Sequence, residues 1–140
     1  MLSPEKIHVL VVDDIPLMRT MLVKFVQTLG RKGSGALKLL TNADIVEASN
    51  GKTALGVLED VRVDLIFLDL MMPEMDGLSF LRAIRQNPEL QDIPVIVCSA
   101  IGEPGTITKA RELGACGYIT KPFTLKSVEE NLQEALAHLR

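Results

Sequence analysis

Apolar stretches rich in β-branched residues alternate five times with segments of helical periodicity along the 140-residue chain. The apolar stretches cover residues 7–12, 43–49, 64–69, 93–99 and 118–120, and the helical segments cover residues 16–29, 52–60, 77–86, 104–113 and 125–139. The first, third and fourth stretches are apolar at nearly every position, which indicates strands that are buried on both faces. Five such strand–helix units predict an α/β doubly wound fold, in which helices cover both faces of a five-stranded parallel sheet.

The helical segments carry apolar residues at steps of three and four, so each presents one apolar face. The first helix has such a face in Met18, Met21, Leu22, Phe25, Val26 and Leu29, and the last has one in Leu125, Val128, Leu132, Leu136 and Leu139. The fourth helix has few strong apolar positions, namely Ile107, Ala110 and Leu113. The fourth helix is therefore predicted to be a movable element.

The composition is typical of one soluble globular domain. With 47% apolar and 24% charged residues, the chain is long enough to bury most of its apolar surface. A net charge of −3 and an aromatic content of 4% argue against general binding of nucleic acid, which needs a basic stripe with stacking aromatics. The sequence contains neither an apolar run of membrane-spanning length nor a signal peptide, so we expect a cytoplasmic protein without a membrane partner.

The two cysteines, Cys98 and Cys116, are too few for a disulfide framework or a zinc site. Both lie in apolar stretches, which favours small buried side chains. If Ser99 and Lys121 lie at the same edge of neighbouring parallel strands, Cys116 is several residues behind the level of Cys98. At about 3.3 Å per residue, this separation exceeds the reach of a disulfide.

Residues 30–42, GRKGSGALKLLTN, form a long connection between the first helix and the second strand. The segment carries Arg31, Lys32 and Lys38 and no acidic residue. Two interpretations remain open, a flexible solvated insertion without a specific role or an extra helical turn formed by ALKLL. In both cases residues 1–140 are predicted to be one domain with an insertion at about 30–42.

Polar residues follow the ends of four predicted strands. Asp13 and Asp14 follow the first strand, Asp69 ends the third, Ser99 ends the fourth and Lys121 follows the fifth. In open α/β sheets, ligands bind outside the carboxyl ends of the strands. Since parallel strands present these ends at one edge, we expect three carboxylates, a hydroxyl and an ammonium group to converge there.

Each of these residues also has a simpler structural explanation. Asp13 and Asp14 could cap the first helix, in which Pro16 suits an early position. Asp76 is assigned only the capping of the helix that begins at Gly77. It is the conjunction of acids, hydroxyl and lysine at one edge that indicates a site.

A cluster of carboxylates restricts the ligand that it can bind. Two carboxylates about 4 Å apart repel each other by roughly 4 kcal/mol at an effective dielectric constant of about 20. A hard divalent cation relieves this repulsion, and oxygen ligands without a nearby histidine or cysteine favour magnesium over zinc. With Mg2+ and Lys121 offsetting the negative charge, a carboxylate could attack phosphorus and form an aspartyl phosphate.

Four segments together resemble the receiver domains of two-component response regulators: VLVVDD (9–14), LIFLDLMMPEMDG (65–77), PVIVCSA (94–100) and GYITKPF (117–123). They occur in this order over nearly the whole chain except residues 30–42, and the set is far more specific than any one segment. Within the family, the chain is most similar to the single-domain regulators of chemotaxis. The resemblance implies a flavodoxin-like sheet with strand order 2-1-3-4-5, flanked by five helices.

The resemblance also implies roles for the residues at the strand ends. Asp69 would be the phosphoacceptor, while Ser99 and Lys121 would each bind a phosphoryl oxygen. The bond between Lys121 and Pro122 would be a cis peptide bond that aims the lysine inward.

The metal ligands and the switch residue follow from the same resemblance. Asp14, Asp69 and the backbone carbonyl of Met71 would ligate Mg2+, with Asp13 acting through water. Tyr118 would be the switch aromatic, turning into the space that Ser99 vacates when it moves toward the phosphoryl group. The fourth helix, fifth strand and fifth helix would form the surface that a target reads.

Two positions that influence dephosphorylation in the family are occupied by apolar residues in this chain. Met71 and Ile101 lie two residues beyond Asp69 and Ser99, and both are apolar. In the family these positions affect the attack of water on the phosphate and the access of phosphatases.

The leading interpretation is a stand-alone signalling switch to which a sensor histidine kinase donates a phosphoryl group. A downstream protein, such as a flagellar motor switch in chemotaxis, would bind the altered surface. The alternative is a phosphorelay intermediate that passes the group to a histidine phosphotransfer domain. Either protein would be a monomer or a phosphorylation-dependent dimer, and would be no enzyme beyond its own phosphoryl transfer and hydrolysis.

Two other classes fit the sequence less well. A phosphohydrolase of the haloacid-dehalogenase type has a second acid two residues after the nucleophile, where this chain has Met71. A flavodoxin binds a flavin phosphate at its first loop, where Asp13 and Asp14 would repel it.

Overall fold

Five strands form one parallel sheet in a computed structural model that describes residues 6–72, 75–100, 104–137 and 139. In sequence order they are β1 (His8–Val12), β2 (Asp44–Ala48), β3 (Leu65–Asp69), β4 (Val95–Ser99) and β5 (Gly117–Thr120). Their spatial order is β2-β1-β3-β4-β5. The predicted doubly wound fold and its strand order are therefore confirmed.

Helices cover both faces of the sheet. The α-helices are α1 (Pro16–Lys32), α2 (Gly51–Asp60), α3 (Gly77–Arg85), α4 (Pro104–Glu112) and α5 (Leu125–Ala137). A 3-10 helix, η1 (Gly35–Leu40), lies between α1 and β2. One apolar core contains side chains of α1, η1 and α5, and the other contains side chains of α2, α3 and α4. No helix in the described ranges is long and apolar enough to cross a membrane.

The central strands are buried more completely than the edge strands. All residues of β3 and β4 are buried, whereas β2 and β5 contain exposed positions. Successive side chains of β1 point to opposite cores, with Val9 and Val11 in one and Leu10 and Val12 in the other. Burial on two faces explains why the central strands are continuously apolar in sequence.

Helix α1 continues three residues beyond the predicted end at residue 29. Gly30 is a typical stop signal, but here it allows two backbones to approach each other. A Cβ atom at Gly30 would lie 2.7 Å from the carbonyl oxygen of Leu40. Arg31 and Lys32 then complete the last turn, where positive charge is favoured by the helix dipole.

The insertion contributes to a core, which excludes a fully solvated loop. Leu37 and Leu40 of η1 are buried in the same cluster as Leu132 and Leu136 of α5. Of the two interpretations of this segment, the extra helical turn is therefore correct, and it is a 3-10 helix. Arg31, Lys32 and Lys38 remain exposed.

The prediction for the apolar face of α5 is correct in its centre and wrong at its start. Val128, Leu132 and Leu136 are buried, but Leu125 is 39% exposed. Leu125 is the first residue of α5 and lies close behind Lys121, at the edge where the strands end. It therefore belongs to the rim of that edge and not to the core.

Both cysteines are free thiols, as predicted. Cys98 pairs in register with Ile119, so that Cys116 lies three residues before the level of Cys98. Burial raises the pKa of the Cys98 thiol, and also that of the Cys116 thiol. Both side chains therefore stay protonated at neutral pH and act as small apolar residues.

We predict that Leu37→Ala lowers the free energy of unfolding by about 2–4 kcal/mol, because it removes buried methyl groups and leaves a cavity between η1, α1 and α5. The matched control is Lys38→Ala, an exposed position of the same helix, for which we expect a change within about 0.5 kcal/mol. Urea unfolding measures both values. Equal, small losses in the two variants would show that η1 is not part of the core.

Candidate functional site

The register of the sheet brings the predicted polar residues to one edge. Val12 pairs with Leu68, so Asp13 and Asp69 leave neighbouring strands at the same level. Asp69 pairs with Cys98, and Ser99 pairs with Thr120, so that Ser99 and Lys121 follow at the next positions of β4 and β5. Asp13, Asp69, Ser99 and Lys121 therefore lie at one edge of the sheet, as predicted.

The ammonium group of Lys121 lies between two buried carboxylates. Its Nζ atom is 2.8 Å from Oδ2 of Asp13 and 3.3 Å from Oδ2 of Asp69. Burial acts to lower the pKa of Lys121, but the contact with Asp13 and the charges of both carboxylates outweigh it, and the pKa is raised. Lys121 is therefore a fixed positive charge of the site.

Burial raises the pKa of Asp69 to about 6 from its ordinary value of 3.8. The amide N–H of Met71, which donates to Oδ1 of Asp69 at 3.1 Å, acts in the opposite direction. The charge of Asp13 raises the pKa further, and Lys121 lowers it. Because Asp69 is 2% exposed, these short-range contacts and not bulk water decide its protonation.

The turn after β1 is held by contacts that orient Asp13. Oδ1 of Asp13 accepts a hydrogen bond from the amide of Ile15 at 2.9 Å, and the amide of Asp13 donates to Ala48 O at 3.1 Å. Arg19 donates from Nη1 to the carbonyl oxygen of Asp13 and from Nε to Glu47 at 3.1 Å. Sequence reasoning missed Arg19, because a lone arginine in a helix carries no signal of a contact with the preceding turn.

The turn after β3 requires a close approach of helix α3 to the strand that carries Asp69. A Cβ atom at Gly77 would lie 2.5 Å from the carbonyl oxygen of Asp69, so that a larger residue would push the helix away. The amide of Gly77 donates to Leu70 O at 3.1 Å. Asp76 caps the helix, as predicted, by accepting from the amide of Ser79 at 2.8 Å.

The residues at this edge fit a hard divalent cation. Asp13, Asp14 and Asp69 each offer a carboxylate oxygen, and these oxygens lie within 4.8 Å of one another. Oδ2 of Asp13 is buried and accepts no hydrogen bond of standard geometry. Its charge is balanced by the ammonium group of Lys121, 2.8 Å away. A purely carboxylate donor set of this kind suits Mg2+. The backbone N–H of Met71 contacts Asp69, as described above. The role of the Met71 carbonyl as a metal ligand stays a prediction.

Ser99, Tyr118 and Lys121 lie along the β4–β5 side of the site. Ser99 is buried, and the amide of Lys121 donates to its carbonyl oxygen at 2.8 Å. Tyr118 is half-buried and packs against the core of α2, α3 and α4. The predicted cis peptide bond between Lys121 and Pro122 is confirmed. Ile101 lies outside the described residues.

Large apolar side chains surround the acidic edge. Among the described residues, the large hydrophobic side chains with substantial exposure are Ile15, Leu17, Met71 and Leu125. They belong to the turn after β1, the start of α1, the turn after β3 and the start of α5. We call these four residues the apolar rim. Exposed hydrophobic side chains grouped in this way are typical of a protein-binding surface.

The response regulator receiver domain model matches residues 9–133 of the chain. A probable chemotaxis protein CheY of Rhizobium etli is 31% identical over 136 residues, which cover 97% of both chains. The chemotaxis protein CheY of Listeria monocytogenes is 36% identical, and the match covers 92% of this chain and 98% of that protein.

A longer relative and a solved structure extend these similarities. A protein-glutamate methylesterase/protein-glutamine glutaminase of Treponema denticola is 42% identical over 94% of this chain, but the chain spans only 34% of that protein. The structure of chemotaxis response regulator CheY4 from Vibrio cholerae has a TM-score of 0.78 at 26% identity and covers 94% of this chain. The match covers 99% of the chain in that structure.

We predict that Asp69→Asn stabilises the metal-free protein at pH 7.5. The unfolded chain ionises Asp69 near pH 3.8, whereas the folded protein retains the proton up to about pH 6. The contribution of Asp69 to the free energy of unfolding therefore falls as the pH rises through this window, by about 3 kcal/mol. Asparagine removes this loss, although part of the gain is offset by the lost contact with Lys121.

Urea unfolding in EDTA-containing buffer at pH 4 and pH 7.5 tests this prediction. We expect the two proteins to differ by less than about 0.5 kcal/mol at pH 4 and by about 1–3 kcal/mol at pH 7.5. Asp76→Asn is the matched control, since asparagine caps a helix as well as aspartate does. A wild type that is as stable as Asp69→Asn at both pH values would contradict the prediction.

Proposed function

Because the chain belongs to the response regulator receiver domain family, we propose that it is a signalling switch turned on by phosphorylation of Asp69. A sensor histidine kinase is the phosphodonor that this family implies. The relatives from Rhizobium etli and Listeria monocytogenes match this chain along nearly their whole length and are named chemotaxis proteins, which supports a role in chemotaxis. A flagellar motor switch would then be the target.

The observation that carries the proposal is the environment of Asp69. Its carboxylate is buried beside a lysine and next to two further aspartates, yet it lies at the open edge of the sheet. Three carboxylates face one lysine here, so the cluster carries excess negative charge. A divalent cation would offset this charge, and the carboxylate of Asp69 could then attack an electrophilic phosphoryl group.

The transfer itself is an exchange of two bonds at phosphorus. A carboxylate oxygen of Asp69 would attack the phosphorus of a phosphohistidine, forming a P–O bond as the P–N bond to the imidazole breaks. A pKa of about 6 leaves Asp69 mostly ionised at neutral pH, so the nucleophile is available. Lys121 would turn from Asp69 to a phosphoryl oxygen while keeping its shorter contact with Asp13.

Asp13, Asp14, Asp69 and the carbonyl of Met71 would hold the cation. Mg2+ bound there would neutralise charge on the phosphoryl oxygens. The described residues near Asp69 would otherwise place three carboxylates against an incoming phosphoryl group with Lys121 as the nearby positive charge. We therefore infer that phosphorylation requires the divalent cation.

Ser99 and Tyr118 would convert the phosphoryl group into a change of surface. The phosphoryl group adds negative charge and acceptor oxygens, and Ser99 would donate a hydrogen bond to one of them. Tyr118, on the neighbouring strand, would turn into the space that Ser99 leaves. The equilibrium between the two arrangements shifts only by the difference in these contacts, so a free-energy difference of a few kcal/mol is enough to switch the protein.

The apolar rim supports a protein, and not a small molecule, as the physiological phosphodonor. Ile15, Leu17, Met71 and Leu125 flank the site on three sides and would pack against apolar residues around the phosphohistidine. A phosphorelay intermediate would use the same rim to pass the group to a histidine phosphotransfer domain. The second candidate function therefore differs from the first in the partner and not in the site.

We predict that beryllofluoride with Mg2+ changes the intrinsic fluorescence of the wild type in a saturable way. Tyr118 is the single tyrosine and the chain has no tryptophan, so the signal reports the switch residue directly. Asp69→Asn should show no saturable change, because the fluoride complex mimics a phosphoryl group on the carboxylate. Asp76→Asn should respond like the wild type, and EDTA should abolish the response. Equal responses of the wild type and Asp69→Asn would remove Asp69 from the central role.

We predict that Met71→Asn shortens the lifetime of phosphorylated Asp69. The Met71 side chain is 71% exposed and follows Asp69 by two residues, so in this proposal it would shield the acyl phosphate from water. Asparagine would instead hydrogen-bond a water molecule, and we expect decay to accelerate by about threefold or more, equivalent to ~0.7 kcal/mol in the barrier.

The decay is measured by intact mass spectrometry after labelling with acetyl phosphate and Mg2+ and removal of the donor. Leu17→Asn is the matched control, since it removes another exposed side chain of the apolar rim that is not adjacent to Asp69. An unchanged decay rate in Met71→Asn would exclude Met71 from the mechanism. Equal acceleration in both variants would assign the effect to the rim as a whole.

A further inference from the structure

Arg85, the last residue of α3, donates hydrogen bonds to the backbone of two separate segments. Its Nε and Nη2 atoms donate to the carbonyl oxygens of Leu113 and Gly114, at 2.7 Å and 3.2 Å, in the turn after α4. Its Nη1 atom donates to the carbonyl oxygens of Gln91 and Ile93, at 2.8 Å and 2.9 Å, in the segment before β4. One guanidinium group thus joins the ends of α3 and α4 to the start of β4.

The chemistry of the guanidinium group suits this role. It is planar and presents five donors in a fixed geometry, so one side chain can satisfy several carbonyl groups at once. Burial lowers the pKa of Arg85, while Cys116 and Asp92 act in the opposite direction, and the group stays protonated at neutral pH. A shorter or more flexible cation would not hold the two segments in a fixed relation.

The C-terminal end of α4 is held firmly. Ala110 is buried, and the amide of Ala115 donates to Ala110 O at 3.0 Å, which closes the helix. Gly114 has a φ of +85°, and a Cβ atom there would lie 3.0 Å from Nε of Arg85. The turn is therefore shaped to fit the arginine, and Leu113 packs against the core next to it.

The N-terminal half of α4 is less buried than the C-terminal end that contains Ala110. None of the residues 105–108 is buried, and Ile107 is the large apolar side chain among them. This loosely packed end is also the end nearest to the site, because α4 begins five residues after Ser99 in the sequence. Few buried apolar contacts are a mark of a segment that opens at low free-energy cost.

We propose that Arg85 is a positioning residue that fixes the C-terminal end of α4, so that phosphorylation moves α4 by a swing of its N-terminal half about the turn at Leu113–Gly114. This inference rests on the proposed function, since it assigns a direction to the change that phosphorylation of Asp69 causes. A displacement of Ser99 would act on α4 from its N-terminal end, where residues 105–108 are not buried. The target would then recognise the N-terminal half of α4 in its new position.

Hydrogen exchange of the wild type, with and without beryllofluoride and Mg2+, tests the proposal directly. We expect amide exchange within residues 104–109 to change by about tenfold on activation, while exchange within residues 113–116 changes by less than about twofold. Similar changes in both segments would overturn the fixed end. An absence of any change at α4, together with an unchanged fluorescence of Tyr118, would instead count against the proposed function.

Arg85→Met provides the second arm, with Arg82→Met as its control. Methionine retains much of the aliphatic stem but cannot donate hydrogen bonds, and Arg82 is an exposed residue of the same helix. In Arg85→Met we expect the activation-dependent change to extend through residues 113–116. A purely structural role would raise exchange there equally with and without beryllofluoride, leaving the difference as in the wild type, and that result would refute the proposal.

Arg85→Lys keeps the positive charge but lacks the planar guanidinium group, so it tests whether charge or hydrogen-bond geometry fixes the turn. We expect it to behave like Arg85→Met in residues 113–116, because a single ammonium group cannot span both backbone segments. Wild-type behaviour of Arg85→Lys would show that charge alone fixes the turn. It would overturn the assignment of this role to the hydrogen bonds of the guanidinium group. Both arms are measured on the complete chain.

Discussion

The ion pair of Lys121 with Asp13 and Asp69 is the interaction on which the site depends. Asp13 and Asp69 are 1% and 2% exposed, and two such carboxylates would destabilise the fold strongly without a cation between them. Lys121 follows β5, whereas Asp13 follows β1 and Asp69 ends β3, so the ammonium group must reach past the end of β4. The ion pair therefore forms only when four strands have the correct order and register, which ties the chemistry of the site to the topology of the sheet.

Incomplete neutralisation is what makes this arrangement responsive. Asp13, Asp14 and Asp69 face one lysine, so the local charge is negative, and the raised pKa of Asp69 is the electrostatic consequence of its burial. A cation lowers the free energy of this arrangement, and a phosphoryl group then changes which oxygens Lys121 and Ser99 contact. The site can be altered by ligands because the protein alone does not satisfy it, whereas the cores on either side of the sheet are closely packed and resist change.

Periodicity and the residues at strand ends made the fold and the site edge predictable. The continuous apolar runs identified β3 and β4 as central, and the polar residues at their ends identified the edge that carries the site. Contacts between residues distant in sequence were not predictable in this way. Arg19 and Arg85 bond to backbone carbonyls, which leave no mark on the sequence, and Gly30 resembled a helix end although it is a packing position. Leu125 fitted the period of α5, but no pattern reveals where a helix passes the edge of a sheet.

The distribution of packing around the sheet gives the site a direction of action. On one face of the sheet, η1 adds Leu37 and Leu40 to the core between α1 and α5. These two buried side chains increase the packing on that face. On the other face, Arg85 secures the junction of α3, β4 and α4. On the same face, none of the residues 105–108 in the N-terminal half of α4 is buried. A rearrangement at Ser99 costs least where packing is weakest, so the same forces that hold the rest of the fold in place direct the response toward that helix.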